Sequence, residues 1–252
     1  MSAEPRGGGA GRALSGLAVG LGCLLLLGGF VLTAVLYQPY TVPTDSMAPT
    51  VRPGDRVLAQ RIDGGEVRRG DVVVFREAEW GDSLVIKRVV GVGGDTVACC
   101  DEEGRLSVNG RPVEEPYLAG EHSASSTSFE ARVPEDELFL MGDYRENSLD
   151  SRSRITESDP GTVPRSAVSG RVEATVWPLG RAGLLPGPSG FADLPGGVSG
   201  QGPLPPLFWA TTGGAVLILG GALGGPLAGR RARSRHRDVR ASAVAHNEGT
   251  HG

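Results

Sequence analysis

Two long runs without a charged residue bracket this chain and constrain it more than any other feature. The first extends from Ala13 to Tyr37 and is centred on Leu24-Leu25-Leu26-Leu27; the second extends from Leu207 to Gly229. Each is long enough to cross a hydrocarbon core of about 30 Å. A cleaved signal peptide would have a shorter apolar region followed by an A-x-A-like site, which the first run lacks, so it is read as a transmembrane helix. The Gly content of the second makes it a poor helix in water, which argues against a buried helix of a soluble domain. Gly220 and Gly224 offer a GxxxG face for a partner helix or for the first helix.

Charge orients the pair. Arg6 and Arg12 precede the first run, and Arg230, Arg231, Arg233, Arg235, Arg237 and Arg240 follow the second. By the positive-inside rule both termini are cytoplasmic, and the middle of the chain faces outward. That middle holds 26 acidic against 17 basic side chains over 38–203, which argues against nucleic acid as a partner, since phosphate binding needs a basic face. The expected organisation is a cytoplasmic N-terminus (1–12), a transmembrane helix (13–37), an extracytoplasmic β-rich domain (38–180), a Gly/Pro-rich linker (181–206), a second transmembrane helix (207–229) and a basic cytoplasmic tail (230–252).

Within 38–180 the apolar runs are short and separated by turn signals, as expected for a mostly β, antiparallel fold. They include Arg56 to Ala59, Asp71 to Phe75, Leu84 to Val90, Thr96 to Ala98, Leu106 to Val108, Leu138 to Met141 and Val172 to Trp177. Asn109-Gly110 is a hairpin signal, because a type I′ turn needs positive φ at both central residues. Irregular coil is expected from Gly120 to Ser128. His122, His236, His246 and His251 lie away from any pattern that would complete a metal site, and neither a metal nor a cofactor is expected. Adjacent Cys99 and Cys100 are read as two thiols in preference to a strained vicinal disulfide. Gly91-Val92-Gly93-Gly94 opens no helix and is read as a turn, and Arg69-Gly70-Asp71 as a hairpin entry.

Of 25 Lys and Arg residues, one alone is lysine, Lys87. Arginine supplies positive charge as well as lysine does, but it keeps its proton at any ordinary pH. A buried lysine loses its proton near neutrality and then serves as a general base. The neighbours Leu84-Val85-Ile86 and Val89-Val90 provide an apolar setting for that burial. Upstream, Pro43 and Pro49 restrict the backbone around Thr44-Asp45-Ser46-Met47 and present Ser46 close to the bilayer.

Four segments in order resemble the bacterial type I signal peptidases: Ser46-Met47-Ala48-Pro49-Thr50, Arg69 to Phe75, Ile86-Lys87-Arg88-Val89-Val90-Gly91 with Gly94-Asp95, and Gly142 to Arg152. The resemblance implies Ser46 as nucleophile and Lys87 as general base. It implies Thr44 as a hydroxyl that helps the Ser46 N–H stabilise an oxyanion, and Ser148 as the group that orients the lysine amine. Asp143, Arg145, Asp150 and Arg152 match a supporting polar network, read here as structural ion pairs. The implied activity is removal of signal peptides from exported preproteins at the plasma membrane, on the bilayer and close to the secretion translocon. Tyr144 departs from the family's usual Asn, and a second anchor after the catalytic domain is less usual. Two other readings fit less well. A self-cleaving serine/lysine repressor protease needs a DNA-binding domain in place of the first helix. A non-catalytic membrane-anchored β-domain that binds partners would tolerate Lys87→Arg.

Overall fold

Helix α1 (Gly7–Leu36) and helix α2 (Leu204–Leu223) contain apolar spans of 24 and 20 residues. At 1.5 Å per residue both are long enough to cross a membrane. The computed structural model describes residues 7–81, 83–118 and 124–223. The arginine block after the second apolar run, residues 1–6, Gly224 and part of the expected coil lie outside the described residues. The chain divides into a helical unit and a β unit, Val35–Gly202.

In the helical unit the two helices pack antiparallel through small residues seven apart. Ser15 and Val19 meet Gly221, Gly22 meets Gly214 and Ile218, and Gly29 meets Leu207 and Thr211. The Ser15 hydroxyl donates to the Gly221 carbonyl. A methyl group at Gly22 or Gly214 would strike the opposite backbone, so close approach there requires glycine. Gly220, offered for a partner helix or for the first helix, has no neighbour from α1 within contact distance. The contact stripe follows a seven-residue spacing, which leaves Gly220 one position off the seam.

Among the described residues the β unit has twelve strands. These are β1 (Tyr37–Thr41), β2 (Arg56–Gln60), β3 (Val72–Arg76), β4 (Leu84–Val92), β5 (Thr96–Cys99), β6 (Leu106–Val108), β7 (Arg111–Pro112), β8 (Phe129–Arg132), β9 (Glu137–Met141), β10 (Val163–Pro164), β11 (Val168–Trp177) and β12 (Gly183–Leu184). The larger sheet runs β1-β2-β11-β3-β4-β9-β10, with β12 on β11; the smaller runs β7-β6-β5-β8. Every pairing is antiparallel, so the fold is the mostly β, antiparallel class expected, with an apolar helix near each end. The Asn109-Gly110 turn has φ of 54° and 73° at its two residues and closes the β6–β7 hairpin.

Alternation along the strands divides the core. Val57, Val72, Val74, Ile86, Met47 and Val51 form one buried cluster. Val73, Phe75, Val89, Leu138 and Leu140 form another. A third lies against the smaller sheet and includes Val97, Leu106, Val108 and Phe139.

Two expectations are corrected here. The Gly/Pro-rich segment read as a linker belongs, as far as Gly202, to the β unit: Phe191 is fully buried and Leu194 nearly so in the third cluster. Arg69 donates to the Pro195 carbonyl, and Ser199 donates to Asp71. Composition averaged these few apolar and polar anchors into a background of Gly and Pro. Cys99 and Cys100, expected as thiols, are joined to each other at the end of β5.

Candidate active site

β1 leads directly into the turn that carries Ser46. Val42 N–H donates to the Asp55 carbonyl and Gly54 N–H to the Val42 carbonyl, which closes the base of the loop. Met47 and Val51 are buried in the cluster beneath the sheet, so the segment on either side of the serine is anchored. Burial of two such side chains is worth about 2 kcal/mol each and opposes the entropy of ordering the loop.

Lys87 lies in the middle of β4, with Val73 of β3 as its register partner. Its ammonium nitrogen is 2.7 Å from Ser46 Oγ. Both residues are buried, at 3% and 7% exposure. Loss of water around the amine lowers its pKa from 10.5 to about 8; the carboxylates of Asp150 and Asp143 oppose that fall, and Arg152 adds to it. Thr44 Oγ1 is 3.1 Å from Ser46 Oγ.

The segment after β9 closes over the serine. Tyr144 N–H donates to the Ser46 carbonyl at 3.0 Å. A side chain at residue 142 would collide with that carbonyl and with the Ser148 hydroxyl, so glycine is what lets this segment lie against the backbone of Ser46. Asn147 donates to both carboxylate oxygens of Asp45, at 3.1 and 3.0 Å.

The four charged residues expected in a supporting network each have a partner. Asp143 accepts two bonds from Arg88, at 2.8 and 2.6 Å, and one from Thr50. Arg145 is paired with Glu115 and donates to the Gly142 carbonyl. Asp150 accepts from Arg152 at 2.9 and 2.8 Å and from the Gly142 N–H at 3.0 Å. Burial disfavours the Arg88 and Arg145 charges, but the carboxylates of Asp143 and Glu115 outweigh it, and both guanidinium groups are held above their ordinary value.

The structure therefore brings Thr44, Ser46 and Lys87 into one hydrogen-bonded row, with Asp143 and Asp150 close enough to act on the lysine's charge. Ser148 is not in that row. Its hydroxyl oxygen is buried and makes no hydrogen bond among the described residues. Sequence reasoning missed Arg88 as the partner of Asp143, although its place beside Lys87 was a usable signal. It also missed Thr50 as a donor to Asp143, although Thr50 ends the motif that carries Ser46, and Glu115, for which no local signal existed.

The arrangement is a hydroxyl within reach of a desolvated amine, which can open an acyl-transfer reaction. Comparison with known proteins identifies the family. The sequence profile of the family described as "Signal peptidase, peptidase S26" matches residues 15–177. Signal peptidase I of Leptolyngbya laminosa is 35% identical over 185 residues, covering 69% of this chain and 83% of that protein. Signal peptidase I U of Bacillus subtilis (strain 168) is 37% identical over 160 residues, covering 60% and 81%. Signal peptidase I of Mycobacterium tuberculosis (strain ATCC 25618 / H37Rv) is 30% identical over 207 residues, covering 62% and 70%. With the profile spanning well over half of its length, the chain belongs to the peptidase S26 family and is a signal peptidase enzyme.

Proposed function

We propose that this enzyme cleaves signal peptides from exported preproteins with Ser46 as nucleophile and Lys87 as general base. The observation that carries the reading is the 2.7 Å contact between Lys87 Nζ and Ser46 Oγ in a buried setting that holds the amine near pKa 8. In its neutral form the amine takes the Ser46 proton as Oγ attacks the scissile carbonyl. The resulting oxyanion is met by the Ser46 N–H and the Thr44 hydroxyl. Lys87 then passes its proton to the departing amine and a new acyl-enzyme bond remains. A water deprotonated by the same lysine releases the signal peptide.

Asp143, Arg145, Asp150 and Arg152 support this site by holding the segment that carries Gly142 and Tyr144. Ser148, whose buried oxygen makes no hydrogen bond among the described residues, is the group we assign, by family resemblance, to orienting the amine. Family resemblance supports a substrate with small residues at −3 and −1, bound extended as an added strand. Helices α1 and α2 support anchoring in the plasma membrane, and the flanking arginines support cytoplasmic termini with the β unit outside. Anchoring at the bilayer near the translocon raises the effective concentration of a tethered preprotein.

The test is cleavage of a model preprotein in detergent by wild type, Ser46→Ala and Lys87→Arg. Both variants are expected to be folded and inactive. Cleavage at the wild-type rate by either one removes the residue concerned from the chemistry.

A further inference from the structure

The β6–β7 hairpin returns the chain to Val113, which is buried in the core of the smaller sheet. The next residues alternate. Glu114 faces out with a 74% exposed side chain, and Glu115 faces in with a side chain only 4% exposed. Both Glu115 oxygens are engaged: Arg145 holds them through its two terminal nitrogens, and the Tyr117 hydroxyl donates to one of them. The Tyr117 ring lies under the guanidinium of Arg88, 3.8 Å from ring centre to Cζ, a cation–π contact. Tyr117 thus joins two ion pairs, with Arg88 on Asp143 on one side and Glu115 on Arg145 on the other.

Those two pairs flank Tyr144, whose N–H holds the Ser46 carbonyl. Arg145 Nε holds the Gly142 carbonyl at 3.0 Å, and Arg88 grips Asp143 through two nitrogens. Residues 142, 143 and 145 are therefore each fixed through a guanidinium group that Tyr117 and Glu115 hold in place. Bidentate arginine pairs fix direction as well as distance, so a loosened guanidinium lets the backbone it holds drift.

We infer that Glu115 and Tyr117 are positioning residues for the hydrolytic reaction, acting through Arg145 and Arg88 on the segment that fixes the Ser46 backbone. The inference deepens the reading of Ser46 as nucleophile and rests on it. Neither residue shares a hydrogen bond with Ser46 or Lys87. Their effect is on the placement of the nucleophile, and a displacement of about 1 Å in a reacting group costs up to about 100-fold in rate.

The experiment measures kcat and KM for a preprotein substrate, with melting temperature, on full-length Tyr117→Leu, Tyr117→Phe, Glu114→Gln and Ser46→Ala. Tyr117→Leu, which removes ring and hydroxyl together, is expected to lower kcat about tenfold or more while KM stays within about twofold. Tyr117→Phe keeps the ring beneath Arg88 and should recover part of that loss. Glu114→Gln, on the outward side, should match wild type. A residue that only stabilised the fold would lower the melting temperature and leave kcat of the folded enzyme unchanged. Folded Tyr117→Leu with wild-type kcat, or with its loss confined to KM, overturns the inference. If Tyr117→Leu does not fold, Tyr117→Phe decides: a lowered kcat supports positioning and an unchanged kcat overturns it. Cleavage by Ser46→Ala would instead overturn the underlying reading of the nucleophile, whatever Tyr117 does.

Discussion

Replacing the proposed base should make this enzyme more stable, and the pH dependence of that gain isolates its cause. Lys87 is 3% exposed, and loss of hydration lowers its pKa from 10.5 to about 8. A difference of that size between unfolded and folded chain is worth about 3 kcal/mol. The folded pKa lies below the unfolded one, so between about pH 8 and 10.5 the unfolded chain binds more protons and stability rises with pH. Below about 8 both states are protonated and the folded state bears the whole penalty. Lys87→Met removes the charge and keeps an apolar stem of similar length. It forfeits the bond to Ser46, worth about 1 kcal/mol, while Ser46 keeps its contact with Thr44. The variant should therefore be more stable than wild type by about 2 kcal/mol at pH 7, and the difference should vanish or reverse near pH 10.5. Thermal unfolding of both full-length proteins in the same detergent, at several pH values from 6 to 10.5, measures this. If Lys87→Met is less stable than wild type at pH 7, or if the difference does not depend on pH, the lysine is not held in a desolvated niche.

Two further outcomes follow from the geometry. With an amine near pKa 8 as base, kcat/KM should fall about tenfold per pH unit below about pH 8 and level off above it; a profile flat from pH 6 to 9 would contradict the role of Lys87. Phe191→Ala, in the segment that composition suggested was a tether, should destabilise the protein by about 3 to 5 kcal/mol because it empties a fully buried site. Thermal unfolding within experimental error of wild type would show that the segment does not belong to the core.

Local chemistry made part of this protein legible from residues alone. Uncharged length determines that α1 and α2 are apolar helices long enough to span a membrane, because hydrocarbon tolerates no unpaired backbone and little charge. Positive φ at Asn109 and Gly110 is a property of those two residues in a turn, so the β6–β7 hairpin was readable. The single lysine among arginines pointed to Lys87, because proton loss separates the two side chains and charge does not. Ser46 and Lys87 lie 41 positions apart and meet at 2.7 Å; motif order suggested the meeting, and the β3–β4 register with the loop after β1 brings it about. Partner choice was another matter. Asp143 bonds Arg88, 55 positions away, and Arg145 bonds Glu115, 30 positions away, rather than any charge in their own segment. Phe191 and Leu194 enter a core formed by strands far earlier in the chain, and Ser148 is left without the partner its motif suggested. A sequence states which groups need burial or a counter-charge, but contacts between distant segments follow from how sheets twist and loops close, and only the folded chain determines which group answers each need.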